Sequence, residues 1–276
     1  LRAAKLEAVE PLGQPPRSTH PTAEESVRRY RSPFTLVLLA AVACAPRSDT
    51  GGRPAPADGW TRVGRASVTE GKSAMVVSGS PIASDVGRDI LRRGGNAVDA
   101  AVAVGFALAV VHPEAGNIGG GGFMVIRLLD GTVRSLDYRE TAPSGASRDM
   151  YLGSDGQPTE RSLTGHLAAG VPGAVAGMVE VHARLGRLPF ATLIEPAIRL
   201  AREGFTVDSY RSSSIEENSA RLALFPASRA SFLPGGRPPA PGSTLRQPDL
   251  AATLEAIRDS GAAGFYRGRV ADLIVA

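Results

Sequence analysis

Arg139 stands after Asp137-Tyr138 and before Glu140, three residues ahead of Ala142-Pro143. An arginine at a strand end often faces a cleft. Taken alone, between Tyr138 and Glu140, the same residue reads more readily as a surface ion pair. Gly119-Gly-Gly-Gly122 invites comparison with a phosphate loop. Such a loop needs a strand before it, a helix after it and a Gly-Lys-Ser/Thr ending or a spaced dinucleotide fingerprint. Here a strand pattern follows and Phe123 occupies the lysine's place, so no nucleotide cofactor is expected. The glycines instead let backbone run close to another element or a ligand. His20, His112, His166 and His182 show no metal-ligand spacing, and no metal site is expected. His112, ahead of a helix-ending proline, and His182, on a helix pattern, read as structural. Ser80, Ser84 and Ser144 lack the Gly-x-Ser-x-Gly elbow. No nucleophile–base pair emerges, so these residues alone offer no complete catalytic set.

The elements that must position these groups can be read from apolar patterning. Ala74-Met-Val-Val-Ser reads as a strand. Ser84 reads as the cap of a helix carrying Val86, Ile90 and Leu91 on one face and ending at Gly94-Gly95. Asn96, with Asp99 three residues on, predicts a capping box for a helix over 97–111. That helix is apolar all round, which predicts burial. His112-Pro113 ends it, and a loop follows to Gly122. Phe123 to Leu129, Asp130-Gly131 and Thr132 to Asp137 then form a strong β-hairpin signal. Further helices are expected over 174–185, over 194–203 with Pro196 in the first turn, and over 248–260; the Pro/Gly-rich stretch 228–248 reads as loop. Val270, Leu273, Ile274 and Val275 form one apolar helix face without a polar end, and this reads as the mark of a chain cut short.

Charge and leader composition narrow the class. The net charge is +4, yet residues 1–65 hold 10 Lys+Arg against 6 Asp+Glu, while residues 66–276 hold 21 of each. The body carries no basic footprint for nucleic acid. Cys44 is the single cysteine, which excludes an intrachain disulfide framework and a cysteine-rich zinc site. Arg28, Arg29 and Arg31 precede an apolar run from Phe34 to Ala43, the layout of a secretory signal. About ten helical residues rise only ~15 Å, too short for a membrane span. The ending Ala41-Val-Ala-Cys44 is similar to a bacterial lipoprotein signal whose cysteine is acylated; the alternative is an ordinary signal with an incidental cysteine. Residues 1–26 therefore read as an over-extended start without fold, 27–44 as signal peptide, 45–65 as a flexible linker and 66–276 as the folded part. The leader implies a periplasmic or cell-envelope location, with contact to the membrane only through a lipid anchor at Cys44.

The run from Leu91-Arg-Arg-Gly-Gly-Asn-Ala-Val-Asp through Pro113-Glu-Ala-Gly-Asn-Ile-Gly-Gly-Gly-Gly-Phe-Met to Asp137-Tyr-Arg-Glu-Thr-Ala-Pro143 resembles the large-subunit portion of γ-glutamyltranspeptidases. The similarity continues in Leu167-Ala-Ala-Gly-Val-Pro-Gly-Ala-Val-Ala-Gly177, Glu195-Pro-Ala-Ile-Arg-Leu-Ala-Arg-Glu-Gly-Phe205, Gln247-Pro-Asp-Leu-Ala251 and Gly264-Phe-Tyr-Arg-Gly268, covering roughly 70–276. The resemblance implies an α/β fold, the α/β/β/α sandwich of N-terminal-nucleophile hydrolases, incomplete in this chain. It implies a precursor that cleaves itself, freeing a threonine whose own amine serves as base. That threonine would lie beyond residue 276, so the chain alone is expected to be inactive. Arg139 matches the arginine that grips the α-carboxylate of the γ-glutamyl group. The implied donors are glutathione and other γ-glutamyl compounds, the acceptors water or an amino acid, and the macromolecular partner the small subunit of the same precursor. A β-lactam acylase of the same family and a non-catalytic lipoprotein that binds an acidic amino acid are the alternatives.

Overall fold

The computed structural model describes residues 5–8 and 69–276. The signal, the linker and Cys44 lie outside the described residues. The first strand is β1 (Lys5–Ala8), and the main body opens with α1 (Pro81–Arg92), α2 (Ala97–Val111), β2 (Phe123–Arg127) and β3 (Val133–Asp137). After a long irregular stretch come α3 (Ala174–Leu185), α4 (Phe190–Glu203), β4 (Phe205–Thr206), α5 (Ser209–Glu217), α6 (Ser219–Leu222) and α7 (Pro226–Phe232). The order closes with β5 (Thr244–Leu245), α8 (Pro248–Ser260), α9 (Ala263–Tyr266) and α10 (Gly268–Val275). The class is mixed α/β.

Helix α2 is the centre. Its start is the expected capping box: the Asn96 side chain accepts from the Asp99 N–H, and the Asp99 carboxylate accepts from the Asn96 N–H, both at 2.9 Å. Asp99 is fully buried and does more than cap. Its carboxylate also accepts from the N–H of Arg187 at 3.0 Å and of Leu188 at 3.3 Å, while the Asn96 amide donates to the Leu185 carbonyl at 2.7 Å. One short polar motif thus ties the beginning of α2 to the turn after α3. Along its length α2 packs on α1, α3 and α4, and α4 packs in turn on α8. Val102, Phe106 and Val110 are fully buried, and Phe106 meets the Phe190 ring edge-on at 5.9 Å. At the other end the Gln247 amide donates to the Val110 carbonyl, so a freed helix-end acceptor is satisfied without water.

Strands β2 and β3 form the expected hairpin, with Phe123 opposite Asp137 and Arg127 opposite Val133. The turn closes through Gly131 N–H to Leu128 C=O at 3.0 Å, with Gly131 at φ 86°, a conformation that needs glycine. Strand β1 adds antiparallel to the other side of β3, giving the order β1-β3-β2. Side chains alternate as the pleat demands: Met124, Ile126 and Leu136 face the helical core, while Phe123, Val125 and Asp137 face outward.

Several expectations are corrected. Residues 74–78 form no ladder among the described residues. Val76 and Ser78 are half-buried and Met75 and Val77 exposed, the alternation of a strand without a paired neighbour. Ser84 lies inside α1 rather than at its cap; the helix begins at Pro81 after Ser80, and the Ser84 hydroxyl bonds that of Ser78 at 2.8 Å. Helix α4 begins four residues earlier than expected, which places Pro196 in its interior. A proline there costs about 3 kcal/mol. Leu193, Ile194 and Ile198 are essentially fully buried around it, and each such side chain contributes roughly 1.5–3 kcal/mol, so packing wins. The stretch 228–248 holds the end of α7, a 3-10 turn (Pro234–Gly236) and β5, whose two residues pair with β4. Strand β1 lies in the segment expected to be without fold; edge pairing uses backbone groups that any sequence carries. In α10 only Val270 packs inward, while Leu273, Ile274 and Val275 are exposed.

Candidate functional site

The end of β3 is gripped from two sides. Tyr138 extends the hairpin by one pair, its N–H donating to Gly122 C=O at 3.0 Å and its carbonyl accepting from Gly122 N–H at 3.4 Å. The glycine loop is itself pinned to the start of α3, because Gly120 C=O accepts from the N–H groups of Gly173 at 2.8 Å and Ala174 at 2.9 Å. These are unpaired donors of a helix's first turn, satisfied here by the loop.

Close approach explains the glycines. A Cβ at Gly173 would overlap the Tyr138 carbonyl oxygen, one at Gly177 would overlap the Tyr138 ring, and one at Gly121 would lie 2.7 Å from the Glu140 nitrogen. The chain from Tyr138 to Glu140 therefore runs in a slot whose walls are bare backbone. Beyond it, Thr141 and Val171 exchange antiparallel backbone bonds at 3.3 and 2.8 Å. The Tyr266 hydroxyl donates to Pro172 C=O at 2.9 Å and accepts from Ala176 N–H at 3.2 Å, fixing the far wall. Burial pushes the Tyr138 and Tyr266 phenols above their ordinary range, so both stay protonated at neutral pH.

Arg139 leaves this slot on the outward face. Its N–H donates to the Asp137 carboxylate at 3.0 Å, which fixes the backbone, while its side chain is 69% exposed. The guanidinium carbon sits 6.0 Å from the centre of the Phe123 ring, and Nε stands 4.0 Å from a Glu140 oxygen. At that separation in a solvated setting the ion pair contributes little. Among the described residues the guanidinium fork has no closer ionic contact than this long one.

The other sequence candidates do not gather here. His182 lies in the buried Asp99 cluster, its Nε2 2.8 Å from Leu188 C=O, and is structural as expected. His112 caps α2 and contacts Arg211 of α5, which also pairs with Glu114, so it too braces the fold. Among the described residues no serine hydroxyl is hydrogen-bonded to a histidine, and Ser144 is exposed. Sequence reasoning missed Phe123 as a neighbour of Arg139. Strand parity carried that signal: Phe123 faces Asp137, and Arg139 lies two residues further along on the same side.

Comparison with known proteins gives the family. The family model described as Gamma-glutamyltranspeptidase matches residues 83–276. The glutathione hydrolase proenzyme of Escherichia coli K12 is 47% identical over 205 residues, covering 74% of this chain and 35% of that protein. An acylase proenzyme, ACY 1 of a Pseudomonas species (strain V22), is 44% identical over 207 residues, covering 72% of this chain and 37% of its own length. The chain thus spans about a third of the curated relatives it matches. The crystal structure of Helicobacter pylori γ-glutamyltranspeptidase superposes with a TM-score of 0.74 at 44% identity, over 75% of this chain and 60% of that one. With the glycine slot and the outward arginine inside the matched region, the chain belongs to the γ-glutamyltranspeptidase family.

Proposed function

We propose that this chain supplies the carboxylate-gripping part of an enzyme that transfers γ-glutamyl groups from glutathione to water or amino acids. The observation that carries the reading is Arg139, with its backbone held in the glycine slot and its guanidinium exposed without a close ionic partner among the described residues. The two parallel N–H donors of the fork would bind the α-carboxylate of the donor and hold the γ-carbonyl at a set distance, which aligns it for attack. A threonine freed by cleavage of the precursor would attack, its amine taking the proton, and water or an amino acid would then release the acyl group. The resemblance and the proenzyme relatives support that second half. The described α/β body would form part of a four-layer α/β/β/α sandwich completed by the small subunit of the same precursor. A periplasmic location, with a lipid at Cys44, belongs to the same reading and rests on the leader's residue pattern alone.

The acylase relative favours a second reading. A glutaryl side chain presents a terminal carboxylate that the same fork could grip, but it lacks the α-amino group of a γ-glutamyl donor. The complete gene product should therefore be given γ-glutamyl and glutaryl anilides side by side. Faster turnover of the γ-glutamyl compound is the expected result. A preference for the glutaryl compound would assign the acylase reaction, and no turnover of either would refute both.

A further inference from the structure

The structure assigns Phe123 as a positioning residue: its ring forms a platform that holds the Arg139 guanidinium ready for the substrate carboxylate. This rests on the reading of Arg139 as the carboxylate anchor and adds a residue to it. Among the described residues Phe123 is 62% exposed and lies outside the hydrophobic core. Its place is set by the hairpin, opposite Asp137 and on the outward face with Arg139. The ring centre is 6.0 Å from the guanidinium carbon, within range for attraction between a cation and the ring's negative face.

The arrangement is complementary to what already constrains the arginine. Asp137 holds the Arg139 backbone, and Glu140 stands 4.0 Å from its Nε. Neither fixes the plane of the fork. A long, exposed arginine samples many rotamers, and bidentate binding needs one of them. A ring that engages the flat face of the cation would narrow that sampling and leave the N–H edges open to a carboxylate. Phe123 also follows the glycine run directly, so the loop that grips the backbone also places the ring.

The test is kinetic and uses the complete gene product with two donors: γ-glutamyl-p-nitroanilide and the 4-aminobutyryl analogue that lacks the α-carboxylate. The readout is the ratio of their kcat/KM values. Phe123→Met keeps apolar bulk and removes the ring face. It should lower the ratio about three- to thirtyfold, mainly through KM for the carboxylate donor, the range expected of a cation–ring contact. Phe123→Tyr keeps the face and should restore the ratio to within about twofold of the parent. Arg139→Gln is measured alongside. If it collapses the ratio while Phe123→Met leaves it at the parental value, the platform is refuted and the anchor stands. If Arg139→Gln also leaves the ratio unchanged, the anchor reading falls and the platform with it. A Phe123→Met loss that Phe123→Tyr fails to rescue would equally overturn the assignment.

Discussion

Replacing Arg139 by glutamine in the complete gene product should reduce kcat/KM for a γ-glutamyl anilide by more than about a hundredfold. The figure follows from two charge-assisted hydrogen bonds, each worth roughly 1.5–3 kcal/mol, lost together. Their full loss should appear in the kinetics because the free side chain has little else to give up. Its contact with Glu140 is 4.0 Å long and its side chain is 69% exposed, so among the described residues no strong internal pair is released when the arginine goes. Nor does the change leave a buried charge stranded, since the Glu140 side chain is itself 38% exposed. The fold should survive, and with it the self-cleavage that the proposed function implies, which would provide an internal control on a gel. Arg139→Lys keeps the charge, loses the fork and should recover only part of the activity. Initial rates of anilide release over a range of donor concentrations make the measurement. Near-parental kinetics in both variants, with cleavage intact, would refute the assignment.

Asp99→Ala should cost about 3 kcal/mol or more, because it strips the acceptor from three backbone N–H groups at the α2 start and the α3–α4 turn; a denaturation midpoint equivalent to less than about 1 kcal/mol of loss would contradict the dual role of that carboxylate. Gly177→Ala should drive a methyl into the Tyr138 ring and cost about 1–3 kcal/mol, with a raised KM for the γ-glutamyl donor as the slot shifts; unchanged stability and KM would show that the slot yields freely. Cys44→Ser should move the protein from the membrane fraction to the soluble periplasmic fraction, and unchanged fractionation would reject lipid anchoring.

Elements whose signals are local are legible in the residues themselves. Asn96 and Asp99 name their own helix start, and Asp130-Gly131 between two alternating runs names its own turn. The elements that escape such reading owe their form to distant partners. Helix α5, with the sequence Ser-Tyr-Arg-Ser-Ser-Ser-Ile-Glu-Glu, buries only Arg211 and Ile215 and so offers no apolar stripe to read. Arg211 is held by His112 and Glu114 from the end of α2. One local clue exists, since the Asp208 side chain accepts from the Arg211 N–H at 2.7 Å as a helix cap does. At the site, the position of Arg139 at a strand end is readable from the sequence. Its surroundings are not, because they depend on Gly173 and Gly177 arriving from another helix.

That dependence divides the labour at the site. Positions 121, 173 and 177 act through what they lack, admitting the Tyr138–Glu140 backbone where a side chain would block it. Substituting them disturbs fold and site together, so their effects on stability and on KM should rise in parallel. Arg139 and Phe123 project to the outward face, where neither supports the core, and their effects should fall on carboxylate recognition with stability nearly untouched. The two groups therefore give opposite patterns for one underlying geometry. On the proposed reading, a rigid backbone slot would make a long, flexible arginine usable for orientation: the glycine contacts remove chain entropy at its root, and only the outer torsions would be left for the ring and the substrate to settle.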